Sequence, residues 1–157
     1  MWIGINEPER VKRLILANTA ARIGTREMWE ERIVGVRKAG MGPLSQTMLG
    51  RWFTEGFRQL RPAEMETICG MIAATSPEGY VGCCAAISAA DLRDSIKTIG
   101  ARTLVITASH DPATPPSDGR WLHAALADAV YVELESAHLS AWERPEEFQR
   151  AVIEFLR

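Results

Sequence analysis

The chain has 157 residues, with 18 Lys and Arg against 20 Asp and Glu, a formal charge of -2 and 46% apolar content. This is the profile of one globular domain of ordinary composition. It carries no basic excess for a nucleic-acid surface and no apolar run near the ~20 residues of a membrane-spanning helix. Residues Met1 to Glu7 lack the basic start and apolar stretch of a secretory signal, so the expected compartment is the cytoplasm. Cys83 and Cys84 are adjacent and Cys69 stands apart. That spacing suits neither a disulfide framework nor a metal site, and the three are expected to be small buried apolar groups.

In chain order, a short helical or turn segment ends at Glu7-Pro8-Glu9-Arg10. The run from Arg13 to Asn18 then has the pattern of a strand buried on both faces. From about Thr25 to Ala90 only helices are expected. Met28, Trp29, Ile33 and Val36 mark one, and Leu44, Met48, Leu49, Trp52 and Phe53 a second, separated from the first by Gly40 and Gly42-Pro43. Pro62 opens a third, and Ser76-Pro77 caps and begins a fourth. A second buried strand follows Gly100 over Arg102–Ala108, and a third covers Val130–Leu134. Between them lies a helix from Ser117, its expected N-cap, to Ala127. Pro145-Glu146-Glu147 begins a last helix with Phe148, Val152 and Phe155 on one face. The fold class is α/β: a short parallel sheet flanked by helices, with residues 1–24 and 91–157 forming the core and residues 25–90 a helical insertion.

In parallel sheets, polar residues that do chemistry project from loops at the carboxyl ends of strands. Asp111 follows the second strand in a Pro-rich loop and His138 follows the third. A carboxylate on one strand end can fix the tautomer of an imidazole on the next and stabilise its protonated form. Taken singly, Asp111 also reads as a turn residue ahead of Pro112, and His138 as a loop histidine bonded to backbone. His110 and His123 have weaker claims, the one in a turn and the other in a surface helix. An acid and a base need a nucleophile, yet no Gly-x-Ser-x-Gly occurs, and the serines from Ser45 to Ser140 stand in other contexts. There is no Gly-rich phosphate loop and no cluster at metal-ligand spacing, so no cofactor or metal is expected.

These residues resemble the C-terminal part of the α/β-hydrolase superfamily, and most closely the 3-oxoadipate enol-lactonases. The resemblance runs through Pro8-Glu9-Arg10-Val11, Leu14-Ile15-Leu16 and Ala17-Asn18-Thr19-Ala20-Ala21-Arg22-Ile23-Gly24-Thr25. It continues in Arg51-Trp52-Phe53-Thr54, Gly79 to Ile87 and Ala90-Asp91-Leu92-Arg93. The Asp111 loop and the stretch from Ala137-His138-Leu139-Ser140 to Phe148 are shared by many α/β hydrolases, although Ala ahead of the His looks more like the lactonases. The resemblance implies that Asp111 is the triad acid and His138 the general base, that residues 25–90 form a cap, and that the serine and oxyanion hole lie upstream of Met1. It implies a fragment that lacks the nucleophile and is inactive alone. Its complete form would open 3-oxoadipate enol-lactone in the β-ketoadipate pathway of aromatic catabolism.

The free carboxylate of that substrate calls for a cation. Arg22 is the first choice, being placed just after the first strand, with Trp29 and Trp52 as an apolar wall. Arg22 also reads as a solvated loop residue, and each Trp as ordinary cap core. An exposed sheet edge or apolar face would give such a fragment reason to form a homodimer. Two other readings stand beside the lactonase: an esterase or haloalkane-type hydrolase fragment, and a non-catalytic scaffold or interaction protein.

Overall fold

The computed structural model describes residues 1–157 and divides them into two compact units. One unit comprises Met1–Arg22 with Asp91–Arg157, and the other Ile23–Ala90.

The first unit is built on three parallel strands in the order β1 (Arg13–Ala17), β2 (Arg102–Ala108) and β3 (Ala129–Leu134). Strand period sorts their side chains into two apolar layers. On one face Leu16 and Val105 pack with Ile96, Ile99, Leu122 and Leu126, joined by Met1 and Ile5; on the other Leu104, Ile106 and Leu134 pack with Phe155, joined by Ile15, Phe148 and Val152. The first layer is covered by α1 (Trp2–Asn6) and α7 (Pro116–Ala125), and the second by α9 (Pro145–Leu156), which follows the short α8 (Ser140–Glu143). The main-chain bond from Leu92 N to Ala21 O, at 2.9 Å, joins the two chain segments of this unit.

Three expectations change here. Only β2 is buried along its length. In β1 Leu16 alone is buried and in β3 Leu134 alone, because both strands are edges of a three-stranded sheet. The helix expected from Ser117 starts one residue earlier, with Pro116 in its first turn and no side-chain cap, so Ser117 is not the N-cap. Cys84 is buried, Cys69 is half-buried and Cys83 is exposed, so the last is not a core group.

Helix α7 lies close against β2 at Gly119. A Cβ there would stand 1.8 Å from the Thr107 Cγ2 methyl and 3.5 Å from the Tyr131 ring. Thr107 is buried and its hydroxyl bonds the Tyr131 hydroxyl at 2.8 Å, so the methyl has little freedom to turn away. Gly119→Ala is therefore expected to destabilise the fold by about 2–3 kcal/mol, the upper range for overpacking. Urea unfolding measures it. Adding Thr107→Ser, which removes the obstructing methyl, should restore much of the loss; no recovery would place the strain elsewhere.

The second unit is helical: α2 (Arg26–Ala39), α3 (Gly42–Trp52), α4 (Glu55–Leu60), α5 (Pro62–Ala73) and α6 (Pro77–Ala89). Its helix starts follow local chemistry. The hydroxyls of Thr25, Thr54 and Ser76 accept from the backbone N–H three residues on, and Pro43, Pro62 and Pro77 stand in first turns. Gly40 ends α2 at φ +69, where an L side chain would be strained. Helix α2 packs on α6 and α3 on α5, burying Trp29, Val36, Met48, Leu49, Met65, Ile68, Ile72 and Val81, while Phe53 stacks on Phe57 at 5.4 Å. No helix in the chain is long and apolar enough to cross a membrane.

Candidate active site

Parallel register decides what meets at the carboxyl end of the sheet. Ala17 lies level with Ile106, and Ala108 with Leu134, so the residues that follow all three strands emerge on one side. Main-chain bonds extend the ladder past the strand ends: Asn18 N to Ile106 O at 2.9 Å, Ser109 N to Leu134 O at 2.9 Å and His110 N to Ser136 O at 3.0 Å. The loops carrying Asp111 and His138 are thereby tied together before their side chains make any contact.

The side chains then meet. His138 Nδ1 lies 2.7 Å from Asp111 Oδ2, with the carboxylate fully buried and the imidazole about a quarter exposed. Asp111 Oδ1 accepts from Ala113 N at 2.7 Å and Thr114 N at 3.0 Å, a local Asx turn that orients the carboxylate from its own loop. Oδ2 also accepts from the Thr114 hydroxyl at 2.8 Å and Asn18 Nδ2 at 3.3 Å. An ionised carboxylate only accepts, so Nδ1 carries the proton in the neutral ring and the Nε2 lone pair is left for chemistry.

Burial alone would push the Asp111 carboxyl up, but the bonds from His138 and Thr114 prevail and hold it below its ordinary value. A group depressed on folding adds stability above its unfolded pKa, about 3.9, and loses that contribution as pH falls through its folded value. Folding stability of the parent should therefore fall more steeply below about pH 4 than that of Asp111→Asn, which has no carboxyl to protonate. Urea unfolding at a series of acidic pH values reads the slopes, and equal slopes would mean that Asp111 is not held ionised by the fold.

Sequence reasoning missed the residues that support this pair. Asn18 bonds Asp111 and accepts from the Ser140 hydroxyl, and buried Glu143 accepts from Ala137 N at 3.1 Å, next to His138. Thr114 was legible as the hydroxyl three residues after a loop Asp. Asn18 stands after β1 as Asp111 and His138 stand after their strands, and that common position was its signal.

The remaining expected residues have separate settings. Arg22 follows β1, but its guanidinium pairs with Asp91 at 3.4 Å and touches neither Asp111 nor His138. Asp91 is also gripped by Arg93, at 2.8 and 2.6 Å, and the Arg93 hydrogen bond is the main reason its carboxyl drops to about 2. In the helical unit Trp29 is buried, with its indole N–H donated to Ile23 O at 2.6 Å and Arg32 over its ring, whereas Trp52 is half-buried. His110 pairs with Glu135 at 2.5 Å on the surface, and His123 lies tilted against Tyr131. No group of His, Cys, Asp and Glu is arranged to hold a metal ion.

No protein-family model matches the chain. Curated relatives do. The chain is 39% identical over 96% of its length to 3-oxoadipate enol-lactonase 2 of Acinetobacter baylyi, and 29% identical over 100% of its length to 3-oxoadipate enol-lactonase 1 of the same organism. Among solved structures it superimposes on the enol-lactonase from Burkholderia xenovorans LB400 with a TM-score of 0.95 and 41% identity over 98% of the chain. It superimposes on a thermophilic esterase from Thermogutta terrifontis with a TM-score of 0.89 and 27% identity over 97% of the chain. It spans 57% and 59% of the two curated relatives and 59% and 58% of the two solved chains.

Proposed function

We propose that this chain, which carries part of the α/β-hydrolase fold and is similar over that part to the 3-oxoadipate enol-lactonases, supplies the acid and general base of a lactone-opening hydrolase. The observation that carries this reading is the 2.7 Å contact between Asp111 Oδ2 and His138 Nδ1 at the carboxyl end of the sheet. In this reading a serine from a segment outside the chain is the nucleophile, and the helical unit is the cap.

The chemistry follows from the tautomer. His138 Nε2 takes the serine proton as the serine oxygen attacks the lactone carbonyl, and Asp111 stabilises the imidazolium that forms. Collapse of the tetrahedral oxyanion breaks the ring C–O bond, and the proton on Nε2 passes to the departing enol oxygen. Water, deprotonated by the same nitrogen, then releases the acid and regenerates the serine. The enol product becomes the ketone, giving 3-oxoadipate, a cytoplasmic step of aromatic breakdown in the β-ketoadipate pathway.

For the substrate carboxylate Arg22 is the proposed cation, shared with Asp91, and Trp29 and Trp52 the proposed apolar wall. Strand β1 pairs only with β2, and its open edge is the proposed surface for the missing part of the fold or for a second copy.

The test joins this chain to the remaining segment of the Acinetobacter lactonase 2 and assays the product on the enol-lactone, a neutral ester of similar size and a haloalkane. The lactone should be the preferred substrate. Arg22→Ala should lose several-fold to a hundredfold on the lactone alone, as expected for one charge-assisted bond of about 1.5–3 kcal/mol. Preference for the neutral ester would favour a general esterase, the activity named for the Thermogutta neighbour. Equal losses on both substrates would make Arg22 a residue that holds structure through Asp91.

A further inference from the structure

The acid of the pair has a second neighbour whose placement the proposed chemistry leaves unexplained. Asn18 is the one non-glycine residue with positive φ, +47, and it stands at the first position after β1. The conformation is disfavoured for most L residues and tolerated by Asn. It accompanies a side chain engaged at both ends: Nδ2 donates to Asp111 Oδ2 at 3.3 Å, and Oδ1 accepts from the Ser140 hydroxyl. The amide orientation is fixed chemically, because the carboxylate can only accept and the Ser140 hydroxyl can donate. Ser140 is fully buried at the start of α8, two residues after His138. A closed circuit results. It runs from His138 to Asp111, across to Asn18 on the first strand end, and back through Ser140 to the loop that carries His138.

We infer that Asn18 is a positioning residue for the acid–base pair, its amide holding Asp111 Oδ2 toward His138 and offsetting part of the carboxylate charge that the imidazole meets. This rests on the reading of Asp111 and His138 as acid and base, but its test reads the histidine itself. Loss of activity in the His138 variant tests that reading, whereas the titration of the ring tests the placement by Asn18 whatever the substrate. An alternative role is purely conformational, Asn18 serving only as a residue that accepts positive φ where β1 ends.

Two variants of the full chain separate these roles. Asn18→Gly keeps the conformational freedom and deletes the amide. Asn18→Asp keeps the shape and sets a second carboxyl about 3.3 Å from Asp111 Oδ2, close enough for the two to share one proton, so a donor to Oδ2 is kept as an O–H. The measurement is NMR titration of the His138 ring in parent and variants, with ring nitrogen shifts reporting the tautomer. The midpoint is expected to rise in Asn18→Gly, which removes the donor to Asp111, and to stay nearer the parent's in Asn18→Asp, which keeps one. Should Asn18→Asp fail to fold, the Gly variant decides alone by its rise. A midpoint and tautomer in Asn18→Gly equal to those of the parent would overturn the inference and leave Asn18 as a turn residue.

Discussion

His138→Ala in the completed hydrolase is expected to lower kcat about 10⁵- to 10⁶-fold, the scale on which removing the base of a serine triad removes the triad's whole contribution. KM should change little, since the imidazole moves protons and is not assigned a grip on the substrate. The fold should survive, because Asp111 keeps its bonds from Ala113, Thr114 and Asn18 when the ring is gone. Steady-state kinetics on the enol-lactone, with a thermal melt as control, measures both. A loss of less than tenfold would place the base on another residue.

Asp111→Asn should cost about 10⁴ in kcat, for a reason the hydrogen bonds dictate. Ala113 N and Thr114 N both donate to Oδ1, so the Asn carbonyl must take that side and the NH2 group must replace Oδ2. That group then faces His138 Nδ1, which can only respond by becoming the acceptor. The ring proton moves to Nε2, and the lone pair that should receive the serine proton is lost. The NH2 group also opposes the donors of Asn18. NMR of the ring nitrogens in the variant should show the Nε2–H tautomer, and an Nδ1–H tautomer together with near-parental kcat would refute the derivation.

Much of this was legible in the residues. The apolar run Leu104-Val105-Ile106 between Gly100 and a Pro-rich loop fixes the central strand, and the order acid then His after successive strands points to the pair now seen at 2.7 Å. Helix starts at Thr25 and Ser76 follow from side chains that can accept a backbone N–H. Depth of burial was not legible, because an apolar run records what a strand can bury and not how many strands flank it; Leu14 and Ile15 are only half-buried at the open edge of β1. For Asn18 only the position after β1 was legible; its role depends on a backbone angle and on partners far away along the chain, Asp111 and Ser140. Arg22 follows β1, and its pairing with Asp91 was not legible, because a sequence does not tell which carboxylate a guanidinium will choose.

Complementation shows whether this chain contributes an acid and a base to a nucleophile carried elsewhere. The chain is mixed with the separately produced remaining segment of the Acinetobacter lactonase 2, and enol-lactone opening is followed against each part alone. Expected are negligible turnover from either part, turnover from the mixture, a serine-directed phosphonate label on the supplied segment, and loss of turnover when the mixture contains His138→Ala. Serine-inhibitable lactone opening by this chain on its own would instead place the nucleophile within residues 1–157.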